Sequence, residues 1–142
     1  MKISTKGRYA VRVMLDLAQQ PKGQYISLKD IADRQQISMK YLEMIMRLLT
    51  KADFVKSHRG KEGGYCLHRS PQEYNLEEIL ELAEGSIAPV ACLACPVQTC
   101  ERAPDCLTLP VWEELNRRIR AYLRSVTLVD VLAGKVKKEE IL

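Results

Sequence analysis

Apolar side chains in the first fifty residues recur at helical spacing and predict three helices. The first runs from Ser4 to Gln20, with Ser4 as its N-cap and Pro21 at its end, because a proline soon after a helix prevents its continuation. Its apolar positions follow the i, i+3, i+4, i+7, i+8 pattern of one buried face. They are Ala10, Val13, Met14, Leu17 and Ala18.

Two shorter helices follow and are separated by a brief turn. Ser27 precedes the first of them, and Asp30 stands three residues later, which is close to a capping box. This helix should end near Gln36, and Ser38 should cap the next, which should continue to about Thr50. Two short helices joined so tightly predict a helix-turn-helix.

The second helix of this pair has two distinct faces. Leu42, Ile45, Met46 and Leu49 should be buried. The opposite face, here called the recognition stripe, consists of Lys40, Glu43, Met44, Arg47 and Lys51. Lysine and arginine bind phosphates or guanine edges, whereas glutamate accepts a hydrogen bond from the cytosine amino group and repels phosphate. Glu43 therefore indicates sequence selectivity, although an ion pair with Arg47 four residues later is an alternative.

Residues 54–67 change from helical to extended spacing. Segments 54–58 and 64–67 predict two short strands, and the glycine-rich stretch 59–64 between them predicts a hairpin loop. A hairpin after a helix-turn-helix is typical of a wing. Its basic tip, at Arg59 and Lys61, could reach the minor groove or its phosphates. A nucleotide-binding loop is disfavoured because no G-x-G-x-x-G or Walker spacing is present.

Two further amphipathic helices are predicted in the second half. The first, 76–84, should turn Leu76, Ile79, Leu80 and Ala83 inward and four glutamates outward, away from DNA. The second, 109–125, carries an apolar stripe that should pair two copies of the chain. This dimer stripe consists of Val111, Leu115, Ile119, Tyr122 and Val126, with Trp112 and Leu123 beside it. Packing of this stripe within one chain is the alternative. Thr127 should cap a last short helix before a basic tail.

Charge divides the 142-residue chain into two halves. Residues 1–69 hold 14 Lys and Arg against 6 Asp and Glu, whereas residues 70–142 hold 8 against 12. A basic half joined to an acidic half indicates that the first half meets a polyanion. No apolar run approaches the roughly 18 residues of a membrane span, and the N-terminus has no signal-peptide pattern, so we expect a cytoplasmic protein without a membrane partner.

Four of the five cysteines lie within one short segment, here called the cysteine loop. Cys92, Cys95, Cys100 and Cys106 follow the pattern C-x2-C-x4-C-x5-C, whereas Cys66 lies in a predicted strand and should be a small buried side chain. In a reducing cytoplasm, clustered cysteines are metal ligands or redox thiols more often than structural disulfides. Four thiolates suffice by number for a [2Fe-2S] or [4Fe-4S] cluster and also for tetrahedral zinc.

A thiol switch without metal is a further alternative, and so is a different class of protein. Cys92 and Cys95 form a C-x-x-C pair such as a thiol-disulfide or electron-transfer protein would use. Such a motif expects a strand before it and a helix after it. A helix stop precedes this pair and Pro96 follows it directly, so the sequence disfavours this class.

Four separate segments together resemble the Rrf-two family of bacterial winged-helix regulators. They are residues 1–10 (MKISTKGRYA), 37–43 (ISMKYLE), 59–65 (RGKEGGY) and 128–132 (LVDVL). The resemblance covers nearly the whole chain and implies a dimer that binds operator DNA through the recognition helix and the wing. The residues expected to contact DNA are Ser38, Lys40, Tyr41, Glu43, Arg47, Arg59, Gly60 and Lys61.

The resemblance also implies a set of ligands for an iron-sulfur cluster. In the cluster-binding members three cysteines hold the cluster, and Cys92, Cys100 and Cys106 match them. One branch adds a histidine where this chain has Leu109, and another adds an acidic side chain where this chain has Arg8. Neither fourth ligand carries over, which leaves Cys95 as the candidate.

We therefore predict a mainly α protein with a small β-wing and a long C-terminal dimerisation helix. The expected divisions are a winged helix-turn-helix domain at 1–70, a connecting helix with the cysteine loop at 71–108, and a dimerisation helix with a tail at 109–142. The expected function is transcription regulation at an imperfect palindromic DNA operator, with a homodimer that senses redox, iron or cluster status. An iron-sulfur cluster is the favoured cofactor and zinc the less favoured one.

Overall fold

The computed structural model describes residues 2–136 and 138, so the part of the predicted tail at 137 and 139–142 lies outside the described residues. The chain is mainly helical with one two-stranded antiparallel wing, as predicted. The elements in chain order are α1 (Thr5–Ala18), α2 (Leu28–Gln35), α3 (Met39–Lys51), β1 (Val55–His58), β2 (Gly64–Leu67), α4 (Leu76–Glu84), α5 (Leu109–Ser125) and α6 (Leu128–Leu132). Short 3₁₀ turns lie at Pro71–Glu73, Ala91–Leu93 and Ala103–Asp105.

Serine caps begin the three helices of the N-terminal half, as their sequences predict. The hydroxyl oxygens of Ser4, Ser27 and Ser38 accept hydrogen bonds from main-chain N–H groups at 3.1, 3.1 and 3.2 Å. Each of these bonds satisfies one of the N–H groups that a helix leaves without a partner in its first turn. The sharp turn between α2 and α3 is made at Gln36, whose φ is +54°. The predicted helix-turn-helix is therefore present.

One main hydrophobic core joins α1, α2 and α3 to later parts of the chain. Met14, Ile31 and Leu42 are fully buried in it, and so are Tyr74, just before α4, and Leu128 at the start of α6. Burial of a large apolar side chain contributes roughly 1.5–3 kcal/mol. Because α4 and α6 supply such side chains to the core, the second half of the chain is packed directly against the helix-turn-helix.

The wing is attached to the segment that precedes α2. Its strands pair from Val55 opposite Leu67 to His58 opposite Gly64. Ile26 adds a further antiparallel bridge, in which the main-chain groups of Ile26 and Tyr65 exchange two hydrogen bonds of 2.8 Å. The loop closes tightly, since a Cβ at Gly63 would lie 2.2 Å from the carbonyl oxygen of His58. This position therefore requires glycine.

Tyr74 and Arg69 connect the base of the wing to α4. The hydroxyl of buried Tyr74 donates to the carbonyl oxygen of Phe54 at 2.6 Å and accepts from the main-chain N–H of Arg69 at 2.9 Å. The guanidinium of Arg69 lies 4.2 Å from the centre of the Tyr74 ring and donates to Glu78 of α4 at 3.1 Å. Both ends of the wing are thus bonded to the start of α4.

The prediction that all four glutamates of α4 face outward is wrong for Glu77. This residue is only 8% exposed, and its carboxylate accepts hydrogen bonds from Arg120 at 3.2 Å and Arg124 at 2.9 Å, both on α5. Glu81 also pairs with Arg120, at 3.1 Å. The hydrogen bond from Arg124 is the main reason why the pKa of Glu77 lies below its usual value. Glu77 and Glu81 therefore form an ion-paired contact with α5.

The remaining end of α4 is bonded to the start of α1. Glu84 accepts from the main-chain N–H of Ser4 at 3.0 Å and from its hydroxyl at 2.7 Å. Gly7 permits this approach, because a Cβ there would lie 2.0 Å from the Glu84 carboxylate. A carboxylate at a helix N-terminus is also favoured by the helix dipole.

The dimer stripe on α5 divides between two environments. Leu123 and Val126 are buried within the chain, and Leu123 packs with Leu80 and Ile87. Val111, Leu115 and Tyr122 remain 57, 40 and 49% exposed. Packing within one chain thus accounts for the C-terminal end of the stripe, while three large apolar side chains stay uncovered.

Replacing Glu77 by glutamine should weaken the contact between α4 and α5. We expect a loss of about 1–2 kcal/mol in the free energy of unfolding at pH 7, between the values typical of exposed and of fully buried ion pairs. Urea denaturation of Glu77→Gln and the unaltered protein measures this loss. Glu114→Gln is the matched control, because among the described residues Glu114 pairs only with exposed Arg117 and Arg118 of its own helix.

The effect of Glu77→Gln should depend on pH in a defined direction. Because folding lowers the pKa of Glu77 from the reference value of 4.5, its stabilisation is fully present above that pH and is lost as the pH falls through the folded-state pKa. The difference between the two proteins should therefore shrink on acidification. A difference that grows between pH 6 and pH 3 would contradict this role for Glu77.

Candidate nucleic-acid interface and cysteine loop

The recognition stripe lies on the exposed face of α3. Lys40, Glu43, Met44, Arg47 and Lys51 are all exposed, whereas the four apolar residues of the opposite face are buried. Tyr41 borders the stripe and is partly buried, because the edge of its ring packs on Tyr9 at a centroid distance of 5.6 Å. The two predicted faces of this helix are confirmed.

The ion pairs of the described residues do not involve the charged side chains of the stripe. Among the described residues, neither Lys40, Glu43 nor Arg47 takes part in an ion pair, so the alternative pairing of Glu43 with Arg47 is absent from this part of the chain. Forming contacts with DNA would therefore break no ion pair within these residues. A surface of this kind can offer two cations and one acceptor to a groove.

An ion pair between exposed Arg34 and buried Asp16, which the sequence did not reveal, fixes α2 against α1. Asp16 is 3% exposed and accepts two hydrogen bonds from Arg34, at 2.8 and 3.0 Å, and a third from Gln35 at 2.8 Å. Arg12 donates to the main-chain carbonyl of Gln35 and lies 5.0 Å from the centre of the Tyr9 ring. In the sequence, the burial of Asp16 could have been inferred from its position three residues after Val13, which places it on the buried face of α1. This network orients the helix that precedes the recognition helix.

The predicted wing residues Arg59, Gly60 and Lys61 are all exposed at the tip of the hairpin. Gly60 has a φ of +119°, which side-chain-bearing residues rarely adopt. At the base of the hairpin the ring of His58 lies 5.2 Å from that of Tyr25. Ser38, the remaining predicted DNA contact, is exposed and caps α3.

The cysteine loop connects α4 to α5, and its residues are exposed or partly exposed. None of the described residues from 88 to 122 is buried. All five cysteines are free thiols: Cys95 and Cys100 are exposed, Cys92 and Cys106 are partly exposed, and Cys66 is buried in β2 as predicted. Cys92 lies in the 3₁₀ turn Ala91–Leu93, and Cys106 directly follows the turn Ala103–Asp105.

The four predicted ligands are not brought together in this structure. In residues 2–136 and 138, no group of three or more His, Cys, Asp or Glu side chains is arranged to hold a metal ion. The chemistry of the donors nevertheless fits an iron-sulfur cluster or zinc, because both bind thiolates. None of the residues from 92 to 106 is buried, so little packing opposes closure of the loop around such a group.

Cys106 lies three residues before the start of α5, and the pKa of its thiol is lowered. The main cause is the hydrogen bond between its sulfur and the hydroxyl of Thr108, at 3.5 Å, supplemented by the main-chain N–H groups of Thr108 and Leu109. A lower pKa favours the thiolate, which is the form that binds metal.

No helix within the described part of the chain has the length and apolar character needed to cross a membrane.

Comparison with known proteins places this architecture among transcription regulators. The family model Rrf2, described as an iron-dependent transcriptional regulator, matches residues 3–134. The protein rrf2 of Nitratidesulfovibrio vulgaris is 37% identical over 132 residues, which cover 93% of this chain and 87% of that protein. The HTH-type transcriptional regulator IscR of Xenorhabdus nematophila is 35% identical over 142 residues, covering 100% of this chain and 83% of that protein.

Solved structures show the same relationship. The global cysteine regulator CymR of B. subtilis has a TM-score of 0.75 and 34% identity, covering 94% of this chain and 98% of its own. The structure of T. potens IscR has a TM-score of 0.72 and 34% identity, covering 100% of this chain and 93% of its own. With a family match over nearly all of its length, the chain belongs to the Rrf2 family of transcriptional regulators.

Proposed function

We propose that the protein is a homodimeric regulator whose binding to operator DNA depends on an iron-sulfur cluster held by the cysteine loop. The observation that carries this proposal is the position of four free thiols in a loop that joins α4 directly to α5. Of these two helices, α4 packs on the helix-turn-helix, and α5 carries the exposed apolar side chains of the dimer stripe.

DNA recognition is assigned to α3 and the wing. Lys40 and Arg47 would bind phosphates or guanine edges, and Glu43 would accept from a cytosine amino group. Ser38 and Tyr41 border the same face, while the tip residues Arg59, Gly60 and Lys61 would approach the minor groove. The support for this assignment is that these side chains are exposed or at the border of an exposed face.

The cluster ligands are assigned to Cys92, Cys100 and Cys106, with Cys95 as the fourth. When bound, an iron-sulfur cluster would supply a reversible change of redox state or a loss of iron that a regulator can sense. The lowered pKa of Cys106 assists its binding. Zinc or a thiol switch without metal would use the same four side chains and is distinguished by metal content.

The coupling from loop to DNA is assigned to ion pairs that already exist. Glu77 and Glu81 hold Arg120 of α5, and Glu78 holds Arg69 at the base of the wing. A change in the loop that shifts α5 relative to α4 would therefore act on the wing and on the separation of two recognition helices in a dimer. An imperfect palindrome with half-sites about one helical turn apart is the matching operator.

An enzymatic role for the C-x-x-C pair is not proposed. A redox motif of that kind stands at the start of a helix. Here Cys92 lies in a 3₁₀ turn, and α5 begins only at Leu109, after the whole loop. An insulin-reduction assay of the protein should accordingly give the uncatalysed rate.

Cysteine variants test the cofactor assignment. Protein purified without oxygen should contain iron and sulfide and absorb in the visible range, and Cys106→Ser should lose most of both, because a thiolate ligand is removed. Cys66→Ser is the matched control and should retain them, since Cys66 is buried in β2. Cys95→Ser should lose iron if Cys95 is the fourth ligand.

Metal analysis separates the alternatives. Purified protein that contains zinc but neither iron nor sulfide would show that the loop holds a zinc ion and not an iron-sulfur cluster. Protein free of all three, even after reconstitution with ferrous iron and sulfide, would contradict the cofactor proposal.

Replacing Arg59 by alanine tests the wing. Operator affinity should fall, and the slope of log K against log salt concentration should decrease in magnitude by about 1, because one phosphate contact is lost. Fluorescence anisotropy over a salt series measures both quantities. Arg118→Ala, an exposed arginine on α5, is the control. An unchanged slope in Arg59→Ala would rule out a phosphate contact at this position.

Replacing Leu115 by glutamate tests the dimer stripe. A charge in a buried apolar interface is unfavourable, so light scattering should show a shift from twice the chain mass of 16.2 kDa toward that mass. Arg117→Gln, two residues away on the opposite side of α5, should remain dimeric. A Leu115→Glu protein that remains dimeric at micromolar concentration would place the interface elsewhere.

A further inference from the structure

The recognition stripe is not uniformly charged. A shallow depression of about 460 Å³ lies on it, lined by Ser38, Lys40, Tyr41, Glu43, Met44 and Arg47. Most of its accessible surface is apolar, even though most of these residues are polar. The surface that should face the bases therefore contains an apolar patch.

Met44 is at the centre of this patch. In a helix, residues three and four positions apart share a face. Met44 is four residues after Lys40, three after Tyr41 and three before Arg47, so these side chains surround it. It is 40% exposed, whereas Met46 on the opposite face is 1% exposed. The Met44 side chain is thus available to a ligand.

Two of the residues that line the depression, Tyr41 and Ser38, are held in place. The Tyr41 ring packs edge-on against Tyr9, and the Tyr9 ring is in turn covered by the Arg12 guanidinium at 5.0 Å. Ser38 is fixed by its capping bond to the main-chain N–H of Tyr41 at 3.2 Å. The part of the depression that Tyr41 and Ser38 form can discriminate by shape, because these two side chains lose little freedom on binding.

Major-groove chemistry offers one apolar group to such a surface. Each base pair shows donors and acceptors there, and only thymine adds a methyl group, at C5. Lysine, arginine and glutamate read the polar edges, but a thioether offers no strong donor or acceptor. Its favourable contact in the groove is therefore apolar.

We propose that Met44 is a specificity-determining residue that reads the C5-methyl group of one thymine in each operator half-site. This inference rests on the proposed placement of α3 in the major groove. The thymine lies near the base pair that Glu43 contacts, because both side chains line the same depression. Operator choice is then set by a charged contact and an apolar contact next to each other.

Deoxyuridine substitution tests the proposal on the intact dimer. A binding sequence is first selected from a random double-stranded pool, and each thymine is then replaced by deoxyuridine, which removes only the methyl group. For the unaltered protein, one position in each half-site should weaken binding about fourfold, the value for loss of one buried methyl-sized group. Replacement in both half-sites should weaken binding roughly tenfold or more.

Protein variants identify the residue responsible. Met44→Ala should bind the thymine and deoxyuridine duplexes equally at that position, because its side chain is too short to reach the methyl group. Met44→Leu should still distinguish them because it is both apolar and long. Met39→Ala is the matched control: Met39 is on the same helix and 44% exposed, but it does not line the depression. It should retain the full deoxyuridine effect.

Three outcomes would overturn the inference, and they differ in what else they affect. If no thymine position responds to deoxyuridine, or if Met44→Ala keeps the response, Met44 does not read a methyl group although α3 can still bind DNA. If Arg47→Ala binds the selected duplex as tightly as the unaltered protein, the placement of α3 fails and the inference fails with it.

Discussion

The pairing of Glu77 with Arg120 and Arg124 is the contact on which the arrangement of the chain depends. A buried carboxylate is costly unless cations and hydrogen bonds compensate for its lost hydration, so Glu77 is stable in its buried position only while α5 supplies its arginines. The position of α5 depends on the same ion pairs. Few residues of α5 are buried within the chain, and Leu123 is the only buried residue among the described positions of that helix. The ion pairs therefore contribute much of what aligns α5 with the rest of the molecule.

This arrangement gives α4 contacts with every part that the proposed regulation requires. Its first turn is bonded through Arg69 and Tyr74 to the wing, its middle is paired with α5, and its last residue caps α1 through Ser4. The cysteine loop begins shortly after that last residue and ends where α5 begins. A loop with no buried residues can change shape at little cost, whereas the helices at its two ends are fixed by charge pairs and core contacts. A cluster in the loop would thus act on two rigid elements.

Local signals predicted most of the fold. Serine caps, the 3.6-residue period and the glycine-rich hairpin loop depend on neighbours in the sequence, and the bounds of α5 and the two faces of α3 follow the prediction closely. Glu77 and Asp16 were not predicted as buried, because their partners Arg124 and Arg34 are distant in sequence and only packing brings them together. The divisions at 1–70, 71–108 and 109–142, the DNA contacts and the convergence of the four thiols stay predictions. They depend on DNA, on a second chain and on a bound group.

If the state of the cysteine loop determines how the protein binds DNA, cluster-loaded and cluster-free protein must bind DNA differently. The measurement is the affinity of both forms for one selected operator duplex and one unrelated duplex, without oxygen at fixed salt. We expect the two forms to differ in operator affinity, or in their preference for the operator over the unrelated duplex, by roughly the 5- to 150-fold typical of coupled sites. Equal affinity and equal preference in both forms would contradict it.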